Sequence, residues 1–565
     1  MGLLRRLIPL LALALVGCTT AGPGLGTTTT SQPGATTTTA GTTTTAPWTA
    51  PEHPIHIAGT GFVDALTGEA FVPRGANYLT RVQVGGGYQD RTLSPAVFDR
   101  EATADDFDAL AARGYNTVRV FLDSCSSGPD CIGNPDGDGL NPEFLDIIVE
   151  FMELAAEEEI FVLFTSNDLP GDGGYWAISD RDNEEGVFPG YRNSHYLTAS
   201  GEEAAVTYWN DLLDGLVERK VPFEVVLAWS ILNEQWMFTD QPPLSLASGE
   251  VETKTGTYDM GSADDKRQMV IDATRSYFAA VAEVIREHDP HGLVTSGFFS
   301  PQFPNPTGIG GSWYVDTAPL VEDSALDFFD FHAYPGEDIT LSQIGENFGL
   351  PADKPVIMGE YGAFIDRYPD IDNAALHVQE WVAQSCEVGF EGWLYWEYNP
   401  ASLSVGDATW ALTAEDDLLL DALAPVDQPD ACTPTLENPN LAAGSTASAS
   451  QSLPEEPPGA AVDGDPTTQW GSGGDPTQWI EIDLGEPVEI GRIVLTVAQF
   501  PDGLTRHLID IDGVRVWSFE NDTADNEVLE LVLDTSITGQ VIRVTTIFGP
   551  SWVAWKEIEV LAPTP

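Results

Sequence analysis

The stretch Trp229–Trp236, WSILNEQW, closes an apolar run with the polar pair Asn233 and Glu234. A buried strand ends in polar residues either because it reaches solvent or because its end forms the floor of a reaction site. The second interpretation requires a fold whose strands all deliver their carboxyl ends to one place, as parallel strands in a barrel do. The surrounding sequence therefore decides what this pair does.

Eight short apolar runs between Phe71 and Tyr398 predict β-strands, and the opening stretch belongs to the fourth. In chain order they are FVPRGANY, TVRVFLD, FVLFTSND, VVLAWSILNE, LVTSGFF, FFDFHAY, PVIMGEYG and GWLYWEYN. Longer amphipathic stretches separate them, and one of these, TADDFDALAARG, has Thr103 as a candidate N-cap and Gly114 as a stop. Alternating strands and helices in this number predict an α/β fold, a closed (β/α)8 TIM barrel.

Changes in composition divide the chain into five predicted segments. Residues 1–18 form a lipoprotein-type signal peptide, 19–47 a Thr-rich disordered linker, and 48–424 the barrel domain. A second linker follows at 425–437. From 438 to 565 the helix patterns vanish, and Gly, Pro and Asp turns interrupt alternating strands, which predicts a small all-β sandwich.

The N-terminus has the features of an export signal. Arg5 and Arg6 precede an apolar run, Leu7–Val16, that is too short to span a bilayer. The sequence LVGC that ends at Cys18 resembles the bacterial lipobox, which implies cleavage before Cys18 and lipid attachment to its thiol. The alternative is a plain signal peptide with an incidental cysteine. We therefore predict a cell-surface lipoprotein or an extracellular protein that meets a membrane only through this lipid anchor.

The chain is strongly acidic along its whole length. Its formal net charge is −64, from 88 Asp and Glu against 24 Lys and Arg. A nucleic-acid partner of the usual kind is excluded, because neutralising phosphates needs the opposite sign. The acidity is typical of a strongly solvated surface, and we expect a monomer.

Four cysteines follow Cys18, an even number in a chain predicted to be exported. Cys125 and Cys131 bracket a short, turn-rich loop, and we predict a disulfide between them. By elimination, Cys386 pairs with Cys432. Neither CxxC nor His-rich spacing occurs in the sequence, which disfavours a zinc site.

Polar and aromatic side chains follow five of the predicted strands where those strands end. They are Arg119 on strand two, Asn233 and Glu234 on strand four, His332 and Tyr334 on strand six, Glu360 on strand seven, and Trp396 on strand eight. Three βα units separate Glu234 from Glu360, so the two carboxylates face each other across the barrel mouth. Glycoside hydrolysis needs such a pair: one group protonates the departing oxygen, and the other attacks the anomeric carbon or activates water.

The motifs WSILNEQW, FHAY and VIMGEYG resemble those of the retaining glycosidases of clan A, most closely glycoside hydrolase family 5, the cellulase and mannanase family. The resemblance covers most of residues 70 to 400. It implies a TIM barrel, a covalent glycosyl-enzyme intermediate and no cofactor for catalysis. It also implies a β-linked polysaccharide or oligosaccharide as the partner of the site.

The resemblance implies a role for each residue at a strand end. Glu234 is expected to be the acid/base and Glu360 the nucleophile, which Arg119 supports. Asn233 is expected to contact the 2-hydroxyl of the sugar. His332 and Tyr334 are expected to line the reacting subsite, and Trp396 is the expected platform beneath the sugar. Trp236 and Trp313 are further candidates for stacking on sugar rings. One departure is the end of strand three, where the family often has a histidine and this chain has Ser166, Asn167 and Asp168.

These roles carry an electrostatic expectation. Glu360 must remain ionised, so a guanidinium and a phenol within reach are expected to lower its pKa. Glu234 must carry a proton near neutrality, so apolar or anionic neighbours are expected around it. Glu397 and Tyr361 are assigned structural positions, because neighbours on a strand point to opposite faces.

The C-terminal segment resembles a second family. Its motifs NLAAGSTASAS, AAVDGDPTTQWGSGGDPTQWIEIDLGEPVEIGRIVL and WKEIEV are similar to those of discoidin-like domains, which are related to coagulation-factor C-terminal domains and to family 32 carbohydrate-binding modules. The resemblance implies a structural calcium ion, with Asp463, Asp465, Thr468 and Glu557 as candidate ligands. The alternative is that DGDP is merely a turn. Phe500, His507, Phe548 and Trp552 are candidates for glycan binding, and they are equally compatible with core positions.

The sequence thus predicts an exported retaining β-glycosidase that hydrolyses a β-linked glucan or mannan and carries a glycan-binding sandwich. One alternative is a surface glycan-binding protein that keeps the barrel without catalysis. Another is a transglycosylase, which uses the same two carboxylates and differs in the acceptor that reaches the intermediate.

Overall fold

The computed structural model describes residues 52–562 except 85–86, 123–124, 126, 300–312, 315–316, 323, 336–340, 342–352, 366–367, 369–370, 400–408, 416, 437–439 and 466. The predicted signal peptide, the lipidation site Cys18 and the Thr-rich linker lie outside the described residues, and they stay predictions. The chain forms two compact units. One comprises residues up to Pro369 with Gln384–Pro429, and the other comprises Asp370–Ala383 with Asp430–Pro565.

The first unit contains the eight strands that the sequence predicts. They are β1 Arg74–Tyr78, β2 Thr117–Phe121, β3 Phe161–Thr165, β4 Val226–Ser230, β5 Leu293–Thr295 continued by Gly297–Phe299, β6 Phe329–His332, β7 Val356–Tyr361 and β8 Trp393–Tyr398. Each strand pairs in parallel with the next, and β8 pairs with β1. The two halves of β5 pair with β4 and β6 respectively, which completes the ring. The predicted (β/α)8 barrel is confirmed.

The main helices alternate with these strands. They are α1 Arg100–Ala112, α2 Pro142–Glu157, α3 Ala199–Arg219, α4 Ala263–His288 and α5 Ile371–Glu387. The prediction of Thr103 as the N-cap of α1 is wrong, because Asp99 accepts hydrogen bonds from the backbone N–H groups of Glu101 and Ala102. Thr103 lies one turn inside the helix and is buried. The Asp99 carboxylate is the N-cap because it accepts hydrogen bonds from two N–H groups that have no partner within the helix.

Shorter elements decorate the barrel. The helical ones are Tyr175–Ser179, Asp180–Asp182, Arg192–Leu197, Phe223–Val225, Ala318–Val321 and Leu418–Ala422. The paired strands are Arg81–Val84 with Gly87–Asp90, Met237–Phe238 with Trp313–Tyr314, and Glu250–Glu252 with Thr257–Asp259. Most of these lie in connections that leave the carboxyl ends of the strands, where binding residues are usually carried in this fold.

An N-terminal meander closes the opposite end of the barrel. Its strands are Ile55–Ala58, Gly61–Asp64 and Ala70–Phe71. Ile55 and Phe62 join a buried cluster with residues from the starts of several barrel strands, and the Phe62 ring meets the Phe328 ring edge-on at 5.2 Å. This closed floor leaves the carboxyl-terminal mouth as the open end of the barrel.

The second unit contains an antiparallel β-sandwich, as predicted. Its strands are Thr446–Ala449, Trp470–Gly471, Gln478–Ala498, Gly503–Ile511, Val514–Thr523, Val528–Phe548 and Ala554–Leu561, with a 3-10 turn at Pro458–Ala461. The two long strands pair with each other and shift register twice, so they bend from one layer into the other. Ile480, Ile482, Ile542 and Trp555 are among the buried residues of its core.

The predicted disulfide between Cys125 and Cys131 is present in the loop after β2. Cys386 and Cys432 are also disulfide-bonded. Among the described helices, none is both long and apolar enough to cross a membrane.

Candidate active site

The guanidinium of Arg119 is the hub of the barrel mouth. Arg119 lies on β2 and is fully buried. Its Nη1 donates to Glu360 Oε1 and to Asn77 Oδ1, both at 2.8 Å, and its Nη2 donates to Asn233 Oδ1 at 2.7 Å. Its Nε donates to Asp330 Oδ2 at 3.2 Å. One cation thus ties together side chains from four other strand ends.

Two members of this network, Asp330 and Asn77, are not among the site residues predicted from the sequence. Asp330 lies two residues before His332 on β6, so the period of a strand places both on the same face, and this signal was available. Asn77 donates to the Gly359 carbonyl at 2.8 Å. A Cβ on Gly359 would lie 1.7 Å from Asp330 Oδ1, so glycine is required to leave room for this carboxylate.

The two predicted catalytic carboxylates converge on His332. The His332 Nδ1 atom lies 2.8 Å from Glu234 Oε1 and 3.4 Å from Glu360 Oε2. Oxygens of the two glutamates and the imidazole nitrogen all lie within 4.8 Å of one another. Tyr334 donates its hydroxyl to Glu360 Oε2 at 3.0 Å. Glu360 is 5% exposed, whereas the Glu234 side chain is 20% exposed.

The electrostatics of this cluster differ from the expectation at two points. Apolar or anionic neighbours were expected around Glu234, but the imidazole of His332 lies 2.8 Å from its carboxylate. Burial raises the pKa of Glu360, and the charges of His332 and Arg119 offset that effect only in part, while the charge of Glu234 adds to it. The predicted lowering of the Glu360 pKa is therefore wrong. Burial also opposes ionisation of Asp330, but Arg119 and His332 outweigh it, and the pKa of Asp330 is lowered.

His332 is held as a cation. Burial alone would lower its pKa, but the charge of Glu360 and hydrogen bonds to Asp330 and Glu234 raise the pKa to about 9. The imidazole therefore carries a positive charge between two carboxylates at neutral pH, and this charge opposes the effect of burial on the pKa of Glu360.

Trp396 lies half-buried at the end of β8. Its ring meets the Phe121 ring edge-on at 6.1 Å, and the Arg81 guanidinium lies 5.7 Å from its centroid. The next residue, Glu397, is 1% exposed and forms an ion pair with Arg81. Tyr361 is buried against the Tyr395 ring. Glu397 and Tyr361 thus occupy structural positions, and the Trp396 ring remains partly open to the mouth.

The end of β3 carries a cluster that sequence reasoning left undefined. Asp168 pairs with His195 Nδ1 at 3.2 Å and with Arg192 Nη1 at 3.4 Å, both from the long loop that follows β3. Arg192 stacks on the Trp236 ring, with its Cζ 3.8 Å from the centroid. The side chain of Trp313 lies outside the described residues.

The predicted calcium ligands lie around one turn of the sandwich. Thr468 donates to Asp463 Oδ2 at 3.0 Å, and Glu557 Oε1 accepts from the Gly464 backbone N–H at 3.2 Å. Asp465 caps its own turn by accepting from Thr467 at 2.9 Å. Glu557 is 3% exposed, and its Oε2 lacks a hydrogen-bond partner among the described residues.

Burial, with a contribution from Asp463, raises the pKa of Glu557 to about 7. A buried carboxylate oxygen without a donor, beside Asp463 and the carbonyl groups of a turn, is a donor set that suits a hard cation. The oxygen atoms of these side chains are of the type that calcium prefers.

Comparisons with known proteins cover both units. Residues 445–558 match the model of the F5/8 type C domain. An endo-1,4-β-mannanase from Rhizomucor miehei aligns over 66% of this chain and 98% of its own, with 20% identity and a TM-score of 0.46. An exo-β-1,4-mannosidase from Opitutaceae bacterium strain TAV5 aligns over 66% and 63%, with 18% identity and a TM-score of 0.43.

The sandwich also aligns with the family 32 carbohydrate-binding module of Clostridium perfringens NanJ, solved with galactose, at 23% identity over 22% of this chain and 99% of that one, with a TM-score of 0.20. A search of curated protein sequences found no match. Residues 445–558 form an F5/8 type C domain.

Within the F5/8 type C domain, the predicted glycan-contacting residues separate into two groups. His507 is 3% exposed, contacts Thr546 Oγ1 at 2.9 Å and stacks on Phe519, so of the two alternatives the core position holds for this residue. Its strand position turns the ring into the core. Phe500, Trp552 and Phe548 are 86%, 55% and 47% exposed respectively.

We expect His332 to titrate near pH 9 in the folded protein. Its pKa is raised above the unfolded value of 6.5, so its contribution to stability is fully present below pH 6.5 and is lost as pH rises through about 9. NMR of ¹³C-labelled histidine, with His332→Gln to assign the signal, measures this midpoint. The His507 signal is an internal reference of opposite sign, because burial lowers its pKa to about 4. Titration of His332 at or below pH 6.5 would contradict the charge assignment.

Proposed function

We propose that the protein is a retaining β-glycosidase that hydrolyses a β-linked glucan or mannan. The observation that carries this proposal is the approach of Glu234 and Glu360 oxygens to within 4.8 Å at the barrel mouth. Retaining enzymes hold their carboxyl groups about 5 to 5.5 Å apart, whereas inverting enzymes leave about 6.5 to 9.5 Å for a water molecule. The short separation favours direct attack by a carboxylate.

In the first step, Glu360 attacks the anomeric carbon while protonated Glu234 gives its proton to the departing oxygen. The bond to the leaving group breaks, and a glycosyl ester forms on Glu360. In the second step, Glu234 takes a proton from water, which attacks the same carbon and frees Glu360. Each step inverts the anomeric carbon, so the two together retain its configuration.

The neighbours of the nucleophile support this assignment. Arg119 and Tyr334 each donate to one oxygen of Glu360, so both oxygens are oriented before a sugar arrives. Asn233 accepts from Arg119 through its carbonyl oxygen, which leaves its amide N–H groups to donate to a sugar 2-hydroxyl. Trp396 offers an apolar face beneath the ring.

We also propose that the F5/8 type C domain binds a neutral glycan. Phe500, Trp552 and Phe548 expose aromatic surface that suits the apolar faces of sugars. The acidity of the chain disfavours polyanions and anionic lipids as partners. The bound glycan would keep the barrel near its substrate.

Removal of either carboxylate tests the catalytic assignment. We expect Glu360→Ala to lower kcat/KM by more than about 10³-fold and Glu234→Ala by about 10² to 10⁴-fold, because one change removes the nucleophile and the other the general acid. The measurement is hydrolysis of β-glucans, β-mannans and aryl β-glycosides. Glu157→Gln is the control, since that side chain is 64% exposed on α2. Undiminished hydrolysis by Glu360→Ala would refute the assignment.

The stereochemical outcome is a separate test. We expect the first-formed reducing sugar to be the β-anomer, because two successive inversions restore the configuration. Proton NMR of early time points, before mutarotation, measures this. An α-anomer would show an inverting enzyme. Longer oligosaccharides in place of free sugar would instead identify a transglycosylase, and binding without turnover would identify a glycan-binding protein.

We further propose that Asp463 and Glu557, with Thr468, Asp465 and carbonyl oxygens of their turn, hold a structural calcium ion. Calcium is expected to raise the unfolding midpoint of the F5/8 type C domain, because an ion that binds only the folded state stabilises it. Calorimetry with calcium, magnesium or a chelator measures the shift. Glu557→Gln should reduce it, and Asp522→Asn, at an exposed position, should leave it unchanged. An identical midpoint in calcium and chelator would exclude the site.

A further inference from the structure

Arg192 connects the loop after β3 to the backbone of the proposed acid/base. It is 5% exposed and lies at the start of the short helix Arg192–Leu197. Its Nη2 donates to the Glu234 carbonyl oxygen at 2.9 Å, and its Nε donates to the Trp236 carbonyl oxygen at 3.0 Å. The guanidinium therefore spans the segment that carries Glu234, and its flat face covers the Trp236 ring.

The third side of the guanidinium is fixed by Asp168. Besides its pairs with Arg192 and His195, Asp168 accepts from the Leu169 backbone N–H at 2.8 Å. Burial alone would raise the pKa of Asp168, but His195 and Arg192 outweigh it and the pKa is lowered, so the carboxylate remains charged. His195 is 1% exposed and is packed between the rings of Trp176 and Tyr191.

The backbone is strained at Tyr191, the residue directly before Arg192. Tyr191 has φ 66° and ψ 174°, a region that is occupied almost only by glycine. Non-glycine residues persist there when surrounding contacts determine the conformation, and such positions concentrate at active sites. The strain is consistent with a local conformation set by the contacts of Arg192.

These contacts restrain Glu234 in a way that the strand does not. β4 ends at Ser230, and backbone hydrogen bonds to neighbouring strand ends continue as far as Asn233, whose N–H donates to the Ser166 carbonyl oxygen at 2.6 Å. Arg192 adds a contact to the next carbonyl group, that of Glu234 itself. His332 holds the carboxylate from one side, and Arg192 holds the carbonyl group of the same residue from the other. The planar guanidinium bridges two carbonyls and a carboxylate in a fixed fork geometry, whereas a lysine ammonium is a compact point charge on a flexible stem.

We propose that Arg192 is a positioning residue for proton donation by Glu234. It fixes the backbone of residues 234–236 so that the carboxyl group points at the oxygen of the leaving group. This inference rests on the proposed glycosidase function. Asp168 and His195 serve it indirectly, by holding the guanidinium in its plane.

The role has a distinct kinetic signature. Proton donation matters for a substrate whose leaving group is a poor one, such as the next sugar of a chain, and matters little for an acidic phenol. The ratio kcat/KM reports the steps up to formation of the glycosyl-enzyme, before Glu234 acts as a base. A misplaced Glu234 carboxyl group therefore lowers kcat/KM for oligosaccharides and leaves kcat/KM for 2,4-dinitrophenyl glycosides nearly unchanged.

The experiment compares Arg192→Gln with the wild type on these two substrates. We expect kcat/KM for the oligosaccharide to fall about 10²-fold, the usual effect of a misplacement of about 1 Å, and kcat/KM for the dinitrophenyl glycoside to fall less than about 3-fold. Arg192→Lys should give an intermediate loss on the oligosaccharide alone. Arg181→Gln is the matched control, since Arg181 precedes Tyr191 in the same loop, is 51% exposed and pairs with exposed Glu203.

Each result supports or overturns the proposal. Equal losses on both substrates in a folded variant would show a general structural or binding role, and no loss on either would show no role. If Arg192→Gln does not fold, Arg192→Lys and Asp168→Asn provide the same comparison. A wild-type protein that cleaves neither substrate would overturn the proposed function and this inference together, whereas a selective loss in Glu234→Ala but not in Arg192→Gln would overturn the inference alone.

Discussion

The buried guanidinium of Arg119 is the constraint on which the barrel site depends. Removing a cation from water costs several kcal/mol, and proteins tolerate it only where charges and hydrogen bonds compensate. Here the compensation comes from Asn77, Asn233, Asp330 and Glu360, which reach the guanidinium from four different strand ends. Each of these side chains is therefore held in place by the requirements of one cation. The proposed nucleophile and the proposed sugar-binding amide share that support.

Burial is the main cause of the raised pKa of Glu360, and the charges of the cluster offset that effect only in part. Arg119 and His332 supply two positive charges, while Asp330, Glu234 and Glu360 supply three acids. With all three ionised the buried cluster is net negative, and with one proton shared by the glutamates it is neutral. A medium of low dielectric favours the neutral arrangement. The first displacement requires an ionised Glu360 and a protonated Glu234.

Sequence reasoning predicted the barrel because periodicity and strand-end chemistry are local properties, and all eight strands are found where the apolar runs lie. It failed where the answer depends on partners distant in sequence. Arg192 touches residues more than 40 positions away, and nothing in its own segment indicates this. The sequence left His507 open between a binding loop and the core, because a single histidine does not show to which face its strand turns the ring. The pKa of Glu360 is raised mainly because its side chain is buried, whereas the prediction considered only its two donors.

The two halves of the proposed reaction have different mechanical support. Glu360 belongs to β7 and is 5% exposed, so the strand ladder and Arg119 hold it. Glu234 lies just beyond Asn233, the last residue held by backbone hydrogen bonds to a neighbouring strand end, and its side chain is 20% exposed. Its further contacts come from His332 and from Arg192 of the loop after β3. Changes in that loop would therefore alter proton donation and the leaving-group side before they alter the nucleophile. In this barrel a strand positions the carboxylate of Glu360. In the proposed mechanism, the loop that carries Arg192 orients the carboxyl group of Glu234.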